Sequence, residues 1–183
     1  MRMNKRFFER LPSEWVKYVV VVILSVALWI WAFGLYHAPK ENEKIELFFA
    51  GEVRDFAFEK EAADAFDELR SVEISYADPS LSVAFEQKYS VVAMTVSDVV
   101  LVPESIATVT ECKRAFVPIS GIGEAFMQED IAYGVYLSDA AKARLGAYFK
   151  FREERYVAFA PASSVNAGKE TDHSLRFIEW LVR

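Results

Sequence analysis

Residues 18–36 (YVVVVILSVALWIWAFGLY) carry no charge and are apolar on every helical face. At about 1.5 Å per residue this 19-residue run nearly matches the ~30 Å hydrocarbon core of a bilayer. Beyond it the pattern changes to short alternating segments. Residues 44–51 (KIELFFAG) form an apolar run closed by glycine, which reads as a buried strand. Over residues 54–69, Phe58, Ala62, Ala65, Phe66 and Leu69 fall on one face of a helix. Residues 71–77 (SVEISYA) alternate as a strand, Asp78-Pro79 signals a turn, and residues 81–89 suit a short helix. Residues 91–96 are ambiguous between helix and strand, and 98–102 (DVVLV) are an apolar strand stopped by Pro103. Strand, helix, strand, helix, strand implies a mostly parallel sheet with helices on its faces and right-handed crossovers. The second half is less regular. It predicts a helix over 105–112, a short strand at 116–119, a loop at 121–123 and a strand at 131–137. A helix over 139–149 with Ser138 as N-cap, a strand at 156–160 ended by Pro161, and a helix from Thr171 or Asp172 complete it.

Charge orients the apolar run. Residues 1–17 hold five basic against two acidic residues, a balance of +3, whereas the chain beyond holds 16 basic and 25 acidic, a balance of −9. Excess lysine and arginine stay on the cytoplasmic side, so the N-terminus is expected inside and the remainder outside. Trp15, Tyr18, Trp29, Trp31 and Tyr36 suit interfacial belts, although they also serve as apolar filler. A cleaved signal has a shorter apolar core and a small-x-small exit, which Phe33-Gly34-Leu35-Tyr36-His37 lacks, and a buried core helix is rarely apolar all round. The expected organisation is a cytoplasmic basic segment (1–14), a transmembrane signal-anchor (15–37), a linker (38–43) and an extracytoplasmic α/β domain (44–183). Phe7, Phe8 and Leu11 among basic residues allow the first segment to lie on the inner leaflet or to be a positive tail. The acidic outer part argues against nucleic acid, and the lone Cys112 allows no intrachain disulfide, which suits a bacterial surface or a domain large enough to need no such staple.

The runs KIELFFAG, SVEISYAD and SDVVLVPES resemble the opening lobe of extracellular solute-binding proteins of the type II periplasmic-binding kind. YVAFAPASS with HSLRFIEWLV resembles the strand and helix by which that family returns to its first lobe. The resemblance covers about residues 44–105 and 155–182. It implies a three-layer α/β fold and solute capture in a cleft between two lobes. Only about 50 residues separate the two matching parts, too few for a full second lobe, so a single-lobe, membrane-tethered form is expected.

Ligands of open α/β sheets bind outside the carboxyl ends of the strands. This rule selects Gly51 and Glu52, Asp78, and Glu104 and Ser105 as ligand-binding candidates. Gly51 lets backbone approach closely, and the carboxylates suit a cationic or hydroxyl-rich ligand; the same residues equally serve as solvated loops and helix caps. Asp64 with Glu68 reads as a solvated acidic face. His37 and His173 stand alone, without metal-ligand spacing. Cys112 lacks a nucleophile signature, Gly121-Ile122-Gly123 lacks a third glycine, and no Gly-x-Ser-x-Gly elbow is present. No enzyme, metal or cofactor is expected. Among the aromatics, residues 148–151 beside Arg152 and Arg155 are a candidate partner surface. The expected function is a membrane-anchored solute-binding-like protein, accessory to a transport system. The alternative is an interaction subunit that docks to a membrane-protein complex and binds no solute.

Overall fold

The computed structural model describes the backbone of residues 5–168 and 171–183, with side chains from residue 15 onward. It divides into residues 1–38 and a compact unit of residues 39–183.

The first unit is one helix, α1, Lys5–His37. Its apolar part, Trp15–His37, has the length and composition to cross a membrane, and its position near the N-terminus suits a signal sequence equally. None of that part is buried against protein. Toward its end Trp29, Phe33 and His37 stack at successive turns, with centroids 5.2 and 3.8 Å apart. The His37 Nδ1 lies 2.9 Å from the Phe33 carbonyl oxygen. Arg2, and the side chains of Phe7, Phe8 and Leu11, lie outside the described residues.

The second unit is built on β1 (Lys44–Ala50), which pairs in parallel with β3 (Ser71–Ala77) on one side and β4 (Val99–Pro103) on the other. Ile45, Leu47 and Phe49 face one apolar layer, with Phe58 and Ala62 of α2 (Ala57–Asp64) and Phe177, Ile178 and Leu181 of α7 (His173–Val182). Phe48 and Ala50 face the other, with Phe85 of α3 (Ser82–Lys88), Ala107 of α4 (Glu104–Ala107) and Cys112 of α5 (Cys112–Ala115). Burial on both faces explains why β1, alternating at its start, becomes a continuous apolar run over residues 47–50. The step from β1 out to β3 uses one face, and the return past β1 to β4 uses the other. That is what one constant crossover hand requires.

Beyond β4 the sheet becomes mixed. Its order is β3-β1-β4-β8-β6-β5, with β8 (Tyr156–Phe159), β6 (Ile131–Tyr136) and β5 (Ala125–Gln128) joined by antiparallel pairs. β3, β1, β4 and β6 run one way, β8 and β5 the other. The late strand β8 thus lies directly against β4, and residues 104–155 feed β5 and β6 into the same sheet.

Several boundaries differ from expectation. α2 ends at Asp64, because the Arg70 amide is taken by the Glu43 carbonyl and β3 must start level with Lys44; Phe66 and Leu69 pack on the core from turns. The helix expected over 105–112 is a single turn, α4, that ends at Ala107, and α5 starts only at Cys112. The expected strand at 116–119 is a lone bridge between Phe116 and Pro161. Residues 89–93 form a π-helical turn that continues α3. β5 gave no warning, since its hairpin turns through Glu129 and Asp130, both at positive φ, where Asn-Gly is the usual signal. α6 (Asp139–Leu145) stops at Gly146, freeing residues 149–150 to form β7, which pairs with β2 (Glu52–Val53). Ser138 caps α6 as expected, accepting from the Ala141 amide at 3.1 Å, and its hydroxyl also donates to the Val182 carbonyl at 2.8 Å.

One acid is buried at the start of β4. Asp98 accepts the Glu46 amide at 2.9 Å and the Ser164 hydroxyl at 2.5 Å. Burial pushes its carboxyl above the ordinary 3.8, against the opposing pull of those hydrogen bonds. The folded state therefore holds this proton more tightly than the unfolded chain. The resulting stability is fullest below 3.8 and drains as pH rises through the interval up to the raised value. Asp98→Asn should remove that contribution: in urea midpoints of the full chain in detergent, followed from acid to neutral pH, the advantage of the wild type over the variant should shrink as pH rises through this window.

Candidate functional site

The candidate residues stand at the carboxyl ends of β1, β3 and β4, the end of the domain opposite Lys44, where the chain enters it. The two ends of β1 are separated by about 20 Å. The Gly51 amide donates to the Ala77 carbonyl at 2.9 Å, so the tips of β1 and β3 are tied together.

Residues 149–156 cross this rim and engage each candidate. The Lys150 ammonium pairs with Glu52 at 2.7 Å, and the Arg152 guanidinium with Asp78 at 3.2 Å. The Glu104 amide donates to the Arg155 carbonyl at 2.9 Å, and the Ser105 amide to the Glu154 carboxylate at 3.1 Å. At Gly51 the close approach is made by the chain itself: an added Cβ would lie 2.5 Å from the Phe49 ring and 3.1 Å from the Lys150 carbonyl oxygen.

The crossing segment is held from beneath. Phe149 and Tyr156 are fully buried. Phe151 packs against Phe49 and Tyr156, with centroids 5.4 and 4.9 Å apart. The Tyr156 hydroxyl donates to the Ala50 carbonyl and receives the Arg152 amide, each at 3.2 Å. The Lys142 ammonium donates to the carbonyls of Arg152 and Glu154, both at 2.9 Å, so the loop curls round one cation. In the aromatic segment expected as a partner surface, Phe149 belongs to the core, Tyr148 and Phe151 are half-buried, and Arg152 and Arg155 pair with Asp78 and Glu124.

The rim's charges follow from this. Asp78 is held below the usual carboxylate range, first by the Ser80 amide and hydroxyl and then by Arg152. The Tyr136 hydroxyl donates to Glu104 at 2.6 Å, and burial together with that carboxylate pushes it up to about 12. Arg155 lies 3.5 Å from the centroid of the Tyr136 ring and pairs with Glu124 at 2.6 Å, which raises it further. Tyr136, Lys142, Lys150, Arg152 and Arg155 thus shape the rim. All come from the less regular half of the sequence, where the strand-end rule offers no guide.

The candidates do not converge on one space. Gly51, Glu52 and Asp78 line a 270 Å³ cleft with Tyr76, Leu81 and Phe85. Ser105 and Arg152 line a 550 Å³ groove with Phe85, Tyr89, Ile106 and Val109. Glu104 lines a 700 Å³ hollow with Glu124, Lys142 and Arg155. Beside the first two clefts, Phe56, Tyr76, Leu81 and Val109 are exposed, Leu81 by 63% and Val109 by 83%. Among the described residues no group of three or more His, Cys, Asp or Glu side chains is arranged to hold a metal ion. Cys112 lies in the core, its amide donating to the Gln128 side chain at 2.9 Å, and burial pushes its thiol up to about 11.

Two outcomes follow from this geometry. Gly51→Ala should cost about 1–3 kcal/mol of stability, because Phe49 and Lys150 leave no room for a methyl group; urea unfolding of the full chain measures it. Cys112 should resist a maleimide in the folded protein and react at the rate of a free thiol once denaturant is added.

No protein-family model matches the sequence, and neither a curated protein nor a solved structure shows significant similarity to it.

Proposed function

We propose that this chain is a membrane-anchored extracytoplasmic interaction subunit, accessory to a membrane-protein complex such as a transport system, with an outer domain that is a reduced solute-binding-type lobe. α1 is the anchor, its basic N-terminal flank is cytoplasmic, and residues 39–183 lie outside. The charge contrast on the two sides of the apolar run supports that orientation.

The observation that carries the docking role is the rim. Every strand-end candidate is engaged by residues 149–156, whereas Phe56, Tyr76, Leu81 and Val109 stand exposed beside it. Exposed aromatic and aliphatic groups next to hydrogen-bonded polar groups are the composition of a partner surface. The occupant is the extracytoplasmic part of a membrane protein. A tether of a few residues, with a rim about 20 Å deeper into the domain, limits what the surface can meet. The 550 Å³ groove supports one other reading, a small solute held by Tyr89, Ser105 and Arg152.

A photo-crosslinking residue at Leu81 or Val109, in intact membranes, should give a discrete adduct with a membrane protein, and the same residue at Lys113 on the exposed surface should not. Absence of adducts from both apolar positions sinks the docking role. Thermal stabilisation by a small solute, abolished by Ser105→Trp, would move the assignment to the solute reading. Alkaline phosphatase fused after Arg183 should be active, and an inactive fusion overturns the orientation.

A further inference from the structure

The last stretch of the tether is held by a buried side chain from a distant part of the sequence. Asn166 is fully buried. Its Nδ2 donates to the carbonyls of Glu41 and Lys44, both at 3.0 Å. Its Oδ1 accepts the Thr171 hydroxyl at 3.1 Å, which fixes which way the carboxamide points. Its backbone amide donates to the Ser164 hydroxyl at 3.0 Å, and its carbonyl accepts the Ser174 amide at 3.1 Å. Ser164 in turn donates to Asp98, which holds the Glu46 amide. Residues from the tether, β1, β4, the loop after β8 and α7 are therefore joined through one polar knot.

Other contacts grip the same stretch. Glu41–Glu43 form a 3-10 turn, closed by the Glu43 amide on the Lys40 carbonyl at 2.8 Å. The Arg70 amide and guanidinium bind the carbonyl and carboxylate of Glu43 at 2.7 and 3.1 Å. Of these, the Arg70–Glu43 ion pair is partly exposed, and pairs of that kind hold weakly. Asn166 is different: it is buried, and every polar group it has is used. Its loss would strand two carbonyls without donors.

We propose that Asn166 is a tether latch, joining residues 41–44 to the folded domain so that residues 38–40 alone link it to the apolar helix. Taken as a free chain, residues 38–43 reach about 20 Å; latched, the link reaches on the order of 10 Å. A shorter link narrows the positions open to the domain and raises its effective concentration at a partner beside the anchor. This consequence rests on the anchor reading; the latch itself is a property of the domain.

Hydrogen exchange on the full chain in detergent decides the latch, whether or not α1 spans a membrane. In the wild type the Glu43 amide should be protected like the amides of β1. Exchange at the rate of a free linker amide overturns the proposal. Asn166→Asp keeps the shape but replaces both donors with acceptors, and should lower protection at Glu43 by about tenfold or more while β4 and β8 keep theirs. Thr171→Val, which removes only the group that orients the carboxamide, should produce a smaller loss at the same amide. Unchanged protection in both variants, or equal losses throughout the sheet, overturns a local latch. The anchor reading is judged separately, by whether the wild-type chain co-floats with liposomes.

Discussion

Strand β1 imposes the constraint on which the rest depends. Its middle residues are buried on both faces, so helices must cover both sides of the sheet and neighbours must complete its hydrogen bonds. β3 and β4 do so in parallel, which requires a crossover on each face, and α2 and α3 supply them. Phe49 marks the centre of one face, packed among Phe149, Phe151 and Tyr156. Those three rings bring the otherwise distant residues 149–156 onto the rim.

A strand buried on both faces still exposes polar backbone at its two ends. Each end is closed from within the chain. At the rim, Tyr156 takes the Ala50 carbonyl, and the segment around Lys142 engages the strand-end residues. At the base, Asp98 takes the Glu46 amide and Asn166 takes the carbonyls of Glu41 and Lys44. The two closures differ in kind. The rim's ion pairs are half-exposed and individually weak, and the rim is held chiefly by the aromatic packing beneath. The base is a buried polar knot, where an unmade hydrogen bond is costly.

This division bears on function. Glu52 and Asp78 pair with cations of the same chain and Glu104 accepts the Tyr136 hydroxyl, so the strand-end carboxylates are engaged from within. The accessible chemistry moves sideways, to the exposed aromatic and aliphatic groups around α3.

The sequence by itself determined the apolar helix, the parallel β1-β3-β4 unit, the cap at Ser138 and the closing helix. Each is a local pattern: an uncharged run, a period of two or of 3.6, or a side-chain oxygen one position ahead of a helix. It also located the strand-end residues, because the end of an apolar run is visible as such. What covers those ends was decided only by tertiary structure. Glu52 and Lys150, Asp78 and Arg152, and Asn166 and Glu41 are far apart in the chain, and no local periodicity pairs them. β5 and β7 were likewise invisible, being only four and two residues long, too short to show a period. Their backbone is held in place by strands elsewhere in the chain, so their identity as strands exists only once the fold has formed.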